Sequence, residues 1–175
     1  MLIDLRFAIP CPPDAAWEAV HRPAVAADLY GPLLQLRPCG EFPARFTDGD
    51  AVEVEMRVWG RIPVGRQVIR VRDEVHLGYG GSDGEVDAHG EHGSDGAPAV
   101  RTMHDEGHPV AGPLALVNGW HHRMTITAHP SRPGTAVWRD RLEFHGAWAP
   151  LLWPVLRATW AWRGWRIRAA AASWG

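Results

Sequence analysis

The sequence predicts an α+β protein: a curved antiparallel β-sheet wrapped around a long C-terminal helix, with two short helices after the first strand. Three observations carry that class. Residues 51–58 alternate apolar and charged side chains, as a strand with one wet face must. Residues 114–128 and 135–144 alternate in the same way on either side of a Pro/Ser/Gly-rich turn at 129–134, and so read as a hairpin. Residues 148–174 then change period, with Leu152, Leu156, Thr159, Trp160, Arg163, Ile167 and Ala170 on one side of a helix.

Taken in order, residues 2–9 alternate and read as a strand with Ile3, Leu5, Phe7 and Ile9 inward, ended by Pro10, Pro12 and Pro13. Asp14 is placed to cap a short helix carrying Trp17 and Val20. Pro23 breaks that helix, and a second short one follows over about 24–29, before the Gly31-Pro32 turn. Residues 33–37 make a weak strand. In the strand at 51–58, Val52, Val54, Met56 and Val58 face one way. Residues 60–65 read as a connection, after which Gln67, Ile69 and Val71 continue the inner face. Residues 77–97 are dominated by Gly, Asp, Ser and His, and predict a mobile loop because almost nothing apolar anchors them. Residues 99–105 return to a strand, 107–113 read as a turn, and the hairpin and closing helix complete one domain over 1–175.

Composition removes several classes. The formal net charge of −2 gives no basic field for nucleic acid, and all 18 positive residues are arginine. No apolar run reaches the ~18–20 residues that span a bilayer, and the alternating N-terminus is unlike a signal peptide. Cys11 and Cys39 form no metal or CxxC spacing, so two reduced thiols in a cytoplasmic protein are expected. No GxSxG, P-loop or dinucleotide fingerprint is present, and no cofactor is expected.

The candidate chemistry lies in the hairpin and the last helix. Trp120, His122, Met124 and Ile126 share one face, and Trp138, Asp140, Leu142 and Phe144 share one face of the returning strand. A turn centred on Ser131 would set His122 opposite Asp140, within hydrogen-bond reach, and a two-residue slip would make the contact diagonal. A carboxylate-oriented histidine suits general-base work, but a structural pair ranks ahead of it, because buried polar groups are normally paired whether or not they do chemistry. Arg163 sits inside the apolar stripe and therefore demands an anion: Asp140, Asp105 or a ligand. The ligand-binding set is thus Trp120, His122, Met124, Trp138, Asp140, Arg163 and Asp105, with His122 and Asp140 the catalytic candidates. His104, Glu106 and His108 alternate onto one face of an extended chain, but Gly107 and Pro109 mark a turn there, so no metal site is expected.

With its opening FAIPCPPDAAWEAV, its WGRIPVGRQV stretch, the GPLALVNGWHHRM-to-TAVWRDRLEF hairpin and a long Trp/Arg-rich final helix, the chain resembles the START-like, Bet v 1-like (SRPBCC) superfamily. In particular it resembles bacterial members of polyketide cyclase/dehydrase and lipid-transport type. The resemblance implies a helix-grip fold around a largely apolar cavity that takes lipids, sterols, polyketides or aromatic ligands; some members cyclise polyketides and many only carry. It transfers no catalytic set. Three functions follow: a binder of a hydrophobic small molecule, including one with an anionic group; a cyclase or dehydratase using His122–Asp140 as general base; and a membrane-surface or partner-binding module exposing Trp162 and Trp165 beside Arg166 and Arg168.

Overall fold

The structure, a computed structural model, describes residues 1–77 and 99–175. The expected loop at 77–97 falls almost wholly outside the described residues. The chain runs β1 (Leu2–Ile9), α1 (Pro13–Val20), α2 (Pro23–Tyr30), β2 (Leu34–Pro38), β3 (Ala51–Val58), β4 (Ile62–Leu77), β5 (Ala99–Asp105), β6 (His108–Ala111), β7 (Asn118–Ala128), β8 (Ala136–His145) and α3 (Ala149–Ala170). Every pairing is antiparallel, in the order β1-β8-β7-β5-β4-β3-β2, with β6 paired to β4. This is the helix-grip arrangement: a curved sheet holding α3, with α1 and α2 inserted after the first strand.

The alternation in the sequence becomes the two faces of the sheet. Trp120, His122, Met124 and Ile126 on β7, and Trp138, Asp140, Leu142 and Phe144 on β8, are all buried. On α3 the buried line is Leu156, Trp160, Arg163, Gly164 and Ile167, which packs on Ile3, Phe7 and the inner face of β8. Trp165 is exposed and stacks near Trp162. Cys11 is buried and Cys39 exposed, and the two are not bonded.

Four local expectations are corrected. Asp14 does not cap α1: Pro12 stands at the cap and Pro13 opens the helix, its fixed φ already helical, while Asp14 pairs with Arg101 at 2.6 Å. Residues 62–65 belong to β4, with a bulge opposite Met56 and Arg57 absorbing the extra residue. The turn at 107–113 contains β6, which pairs with β4 through Arg66, Gln67 and Val68. The hairpin register is shifted by two: Met124 faces Asp140 and His122 faces Leu142. The loop is closed by His129 N–H to the Thr135 carbonyl at 2.9 Å, and Gly134 adopts φ 71°, so the chain reverses one residue later than Ser131.

Gly107 shows how close this sheet approaches itself. A Cβ at that position would lie 1.7 Å from the Val68 carbonyl oxygen, which belongs to rigid backbone. The Gly107 N–H also donates to Asp105 Oδ1 at 3.0 Å. Gly107→Ala is therefore expected to destabilise the protein by about 1–3 kcal/mol or more, read as a lowered denaturation midpoint, whereas Gly40→Ala, with open space around its Cβ position, should change it little.

Candidate functional site

Asp140 sits at the centre of the interface between β8 and α3 and is wholly buried. Its Oδ1 accepts a hydrogen bond from His122 Nε2 at 2.6 Å and another from Trp160 Nε1 at 3.0 Å. Its Oδ2 forms an ion pair with Arg163 Nη1. Arg163 is only 3% exposed. Its Nη2 contacts Met124 Sδ at 3.1 Å, and its guanidinium lies over the Tyr30 ring at 5.5 Å and the Trp138 ring at 5.9 Å. Helix phase explains this placement, since Arg163 follows Trp160 and precedes Ile167 on the line that faces the sheet.

The register explains why His122 meets Asp140 diagonally. Residues two apart on one face of neighbouring strands remain within reach of long side chains. The carboxylate fixes the tautomer, so that Nε2 carries the proton and Nδ1 keeps its lone pair. Burial, followed by the Arg163 charge, pushes the His122 pKa down to about 3, with Asp105 opposing. His122 is therefore neutral at ordinary pH.

Asp105 is the second buried acid. It accepts from Gln67 Nε2 at 3.2 Å, Arg70 N at 3.0 Å and Gly107 N at 3.0 Å. Burial raises its pKa, against His122 and those backbone donors. Burial likewise raises the Tyr30 hydroxyl and lowers Arg163, whose guanidinium nevertheless stays charged.

Between α3, β3, β4 and the β2 region lies a cavity of about 400 Å³. Leu34, Leu36, Val54, Met56, Val58, Ile69, Leu114, Leu152, Val155 and Leu156 make most of its wall. Tyr30, Gln67, Asp105, His122 and Thr159 supply its polar groups, with Trp120 and Trp160 beside them. A smaller recess of about 60 Å³ shares Tyr30, Asp105 and His122 and reaches Met124 and Arg163.

The seven expected ligand-binding residues are therefore sorted by depth. Asp105, Trp120 and His122 line the large cavity; Met124 and Arg163 line only the recess; Trp138 and Asp140 line neither. Asp140 is screened by the three groups that bind it. Sequence reasoning did not find Tyr30, Gln67 or the Trp160 indole. Gln67 carried a usable signal, being a polar residue in line with Ile69 and Val71 on the inner face of β4. Among the described residues, the one set of histidines and carboxylates within metal-ligating distance lies on the opposite face of the sheet.

Two outcomes follow. Asp140→Ala strands a buried cation and should cost about 3–5 kcal/mol of stability. Arg163→Met should cost less, because Asp140 keeps two donors; urea denaturation of both variants checks the order. His122 is held neutral in the fold but titrates at 6.5 when unfolded, so the unfolded chain binds more protons between those values. Its contribution to stability is present above pH 6.5 and fades as pH falls toward about 3. His122→Gln should flatten that part of the melting-temperature profile.

No protein-family model matches the chain, and no curated protein matches it in sequence. Solved structures do match. A Helicobacter pylori protein superposes with a TM-score of 0.59 at 9% identity, covering 98% of this chain and 88% of that one. A Chromobacterium violaceum protein gives 0.56 at 16% identity, covering 98% and 96%. Norcoclaurine synthase from Thalictrum flavum, solved with dopamine and hydroxybenzaldehyde, gives 0.52 at 14%, covering 97% and 84%. At these identities the likeness shows the fold alone, the helix-grip arrangement of a curved antiparallel sheet and a long C-terminal helix.

Proposed function

We propose that residues 1–175 form a single domain that binds a hydrophobic small molecule of lipid, polyketide or aromatic type in the cavity between sheet and C-terminal helix. The observation that carries this reading is the cavity of about 400 Å³, apolar over most of its wall, with Tyr30, Gln67, Asp105 and His122 among its few polar groups. Such a volume lies in the range of small-molecule sites, and a few placed polar groups orient a ligand within an apolar shell. The Thalictrum protein of the same fold holds dopamine and hydroxybenzaldehyde, which makes hydroxylated aromatics a sensible first probe. A neutral ligand suits the site better than an anion, because Arg163 already neutralises Asp140 and an incoming anion would have to displace that carboxylate.

The alternative reading, a cyclase or dehydratase with His122–Asp140 as general base, is favoured by the 2.6 Å bond that orients the imidazole. Its weakness is the same Arg163. By taking the charge of Asp140 it removes the stabilisation that an imidazolium would need, and a histidine with a pKa near 3 is a poor base at neutral pH. Binding therefore ranks ahead of catalysis.

Native mass spectrometry of freshly purified protein, and of protein exposed to a panel of hydroxylated aromatics and fatty acids, tests the reading. We expect one small molecule per chain. Leu152→Trp, which fills the cavity from α3, should abolish that uptake without lowering the melting temperature by more than a few degrees. Failure of the natural sequence to retain any member of the panel would count against the proposal.

A further inference from the structure

On the outer, solvent-facing side of the sheet, three neighbouring strands bring four chemistry-bearing side chains together. His104 on β5 is 4% exposed, unusually buried for that face. Its Nε2 donates to Glu74 Oε2 of β4 at 2.8 Å. That bond leaves the lone pair of a neutral His104 on Nδ1, which lies 3.0 Å from His121 Nε2 on β7. Glu106, just past the end of β5, places its Oε1 3.9 Å from the same His121 nitrogen. One ligand atom from each of His104, Glu106 and His121 lies within 4.8 Å of the others.

We propose that His104 Nδ1, His121 Nε2 and a Glu106 carboxylate oxygen form a binding site for a divalent metal ion of the zinc class, with Glu74 as the orienting carboxylate behind His104. The spacing fits. Two imidazole nitrogens each about 2.0–2.1 Å from one zinc ion sit roughly 3–3.4 Å apart, and here they are 3.0 Å apart. The chemistry fits as well, since two histidines and one carboxylate leave a fourth position for water. A ligating histidine that donates its other ring N–H to a carboxylate is the usual second layer of such sites. Binding requires His121 to carry its proton on Nδ1, a tautomer exchange that needs no backbone movement. Arg72 holds Glu106 Oε1 through its Nε and Nη2 at 2.9 and 2.8 Å, which fixes the carboxylate beside His121. Sequence spacing had grouped His104 and Glu106 with His108. In the fold His108 leaves on β6, and His121 takes its place. The site is on the far side of the sheet from the cavity, so it stands or falls independently of the proposed ligand.

The full chain, stripped with EDTA and titrated with zinc by calorimetry, should take up one ion per chain at this site. Cobalt should give the visible absorption of a four-coordinate ion. His121→Ala and Glu106→Gln should each weaken zinc binding at least about tenfold, and Glu74→Gln by about 10–100-fold. His108→Ala, and the double variant His89→Ala/His92→Ala, which removes the other His/Glu/His grouping in the sequence (His89, Glu91, His92), should bind as the natural sequence does. Glu106→Gln alters a side chain that is partly exposed, so it gives a reading even if His121→Ala proves unstable. Absence of stoichiometric zinc uptake overturns the proposal. So does uptake that survives both His121→Ala and Glu106→Gln, or that disappears in the His89/His92 double variant.

Discussion

A charged guanidinium inside an apolar helix–sheet interface is tolerable only with an anion beside it, and Arg163 is paired with Asp140. Three donors from two elements converge on that one carboxylate: Arg163 and Trp160 from α3, and His122 from β7. Such a cluster has little freedom. Rotating α3 would strand a charge, so the pair fixes helix phase in a way that apolar contacts alone would not. Tyr30 and Trp138 complete the enclosure by placing π-faces near the cation. Arg163 Nε nevertheless has no hydrogen-bond partner among the described residues, so charge and stacking carry more of the burden than hydrogen bonding.

This pair also decides what the cavity can do. Had Arg163 been free, it would have offered a strong anion site; had Asp140 been free, it would have supported a protonated His122. Paired, they leave a neutral imidazole with an available Nδ1, a buried Asp105 pinned by backbone N–H groups, and a long apolar wall. That inventory suits the proposed ligand, a mostly apolar molecule with a hydrogen-bonding group at one end. Val155 lines the cavity and is also exposed on α3, as is Leu151 one turn before it.

The sheet separates two chemistries over a single residue step. His122 faces the cavity while His121 faces the outer cluster, and Asp105 faces the cavity while His104 faces outward. Adjacent positions on a strand point to opposite faces, so His121 and His122 serve opposite sides of the sheet. No helix among the described residues is long and apolar enough to cross a membrane.

The sequence by itself determined most of the strands, the inner and outer sets on β3, β7 and β8, and the phase of α3, because these follow from a local period of 2 or 3.6. It placed Arg163 on the inner face and named Asp140, Asp105 or a ligand anion as its counter-ion. It could not choose among them, because that depends on where α3 packs across the sheet, and it missed the β7–β8 register, whose turn has Gly134 in a left-handed conformation. Nor did periodicity find β6, whose four residues pair across a bulge in β4. Which polar side chains reach the cavity, and which histidine joins His104, were decided by three strands meeting side by side. Residues 74, 104, 106 and 121 carry no common period; only the sheet makes them neighbours.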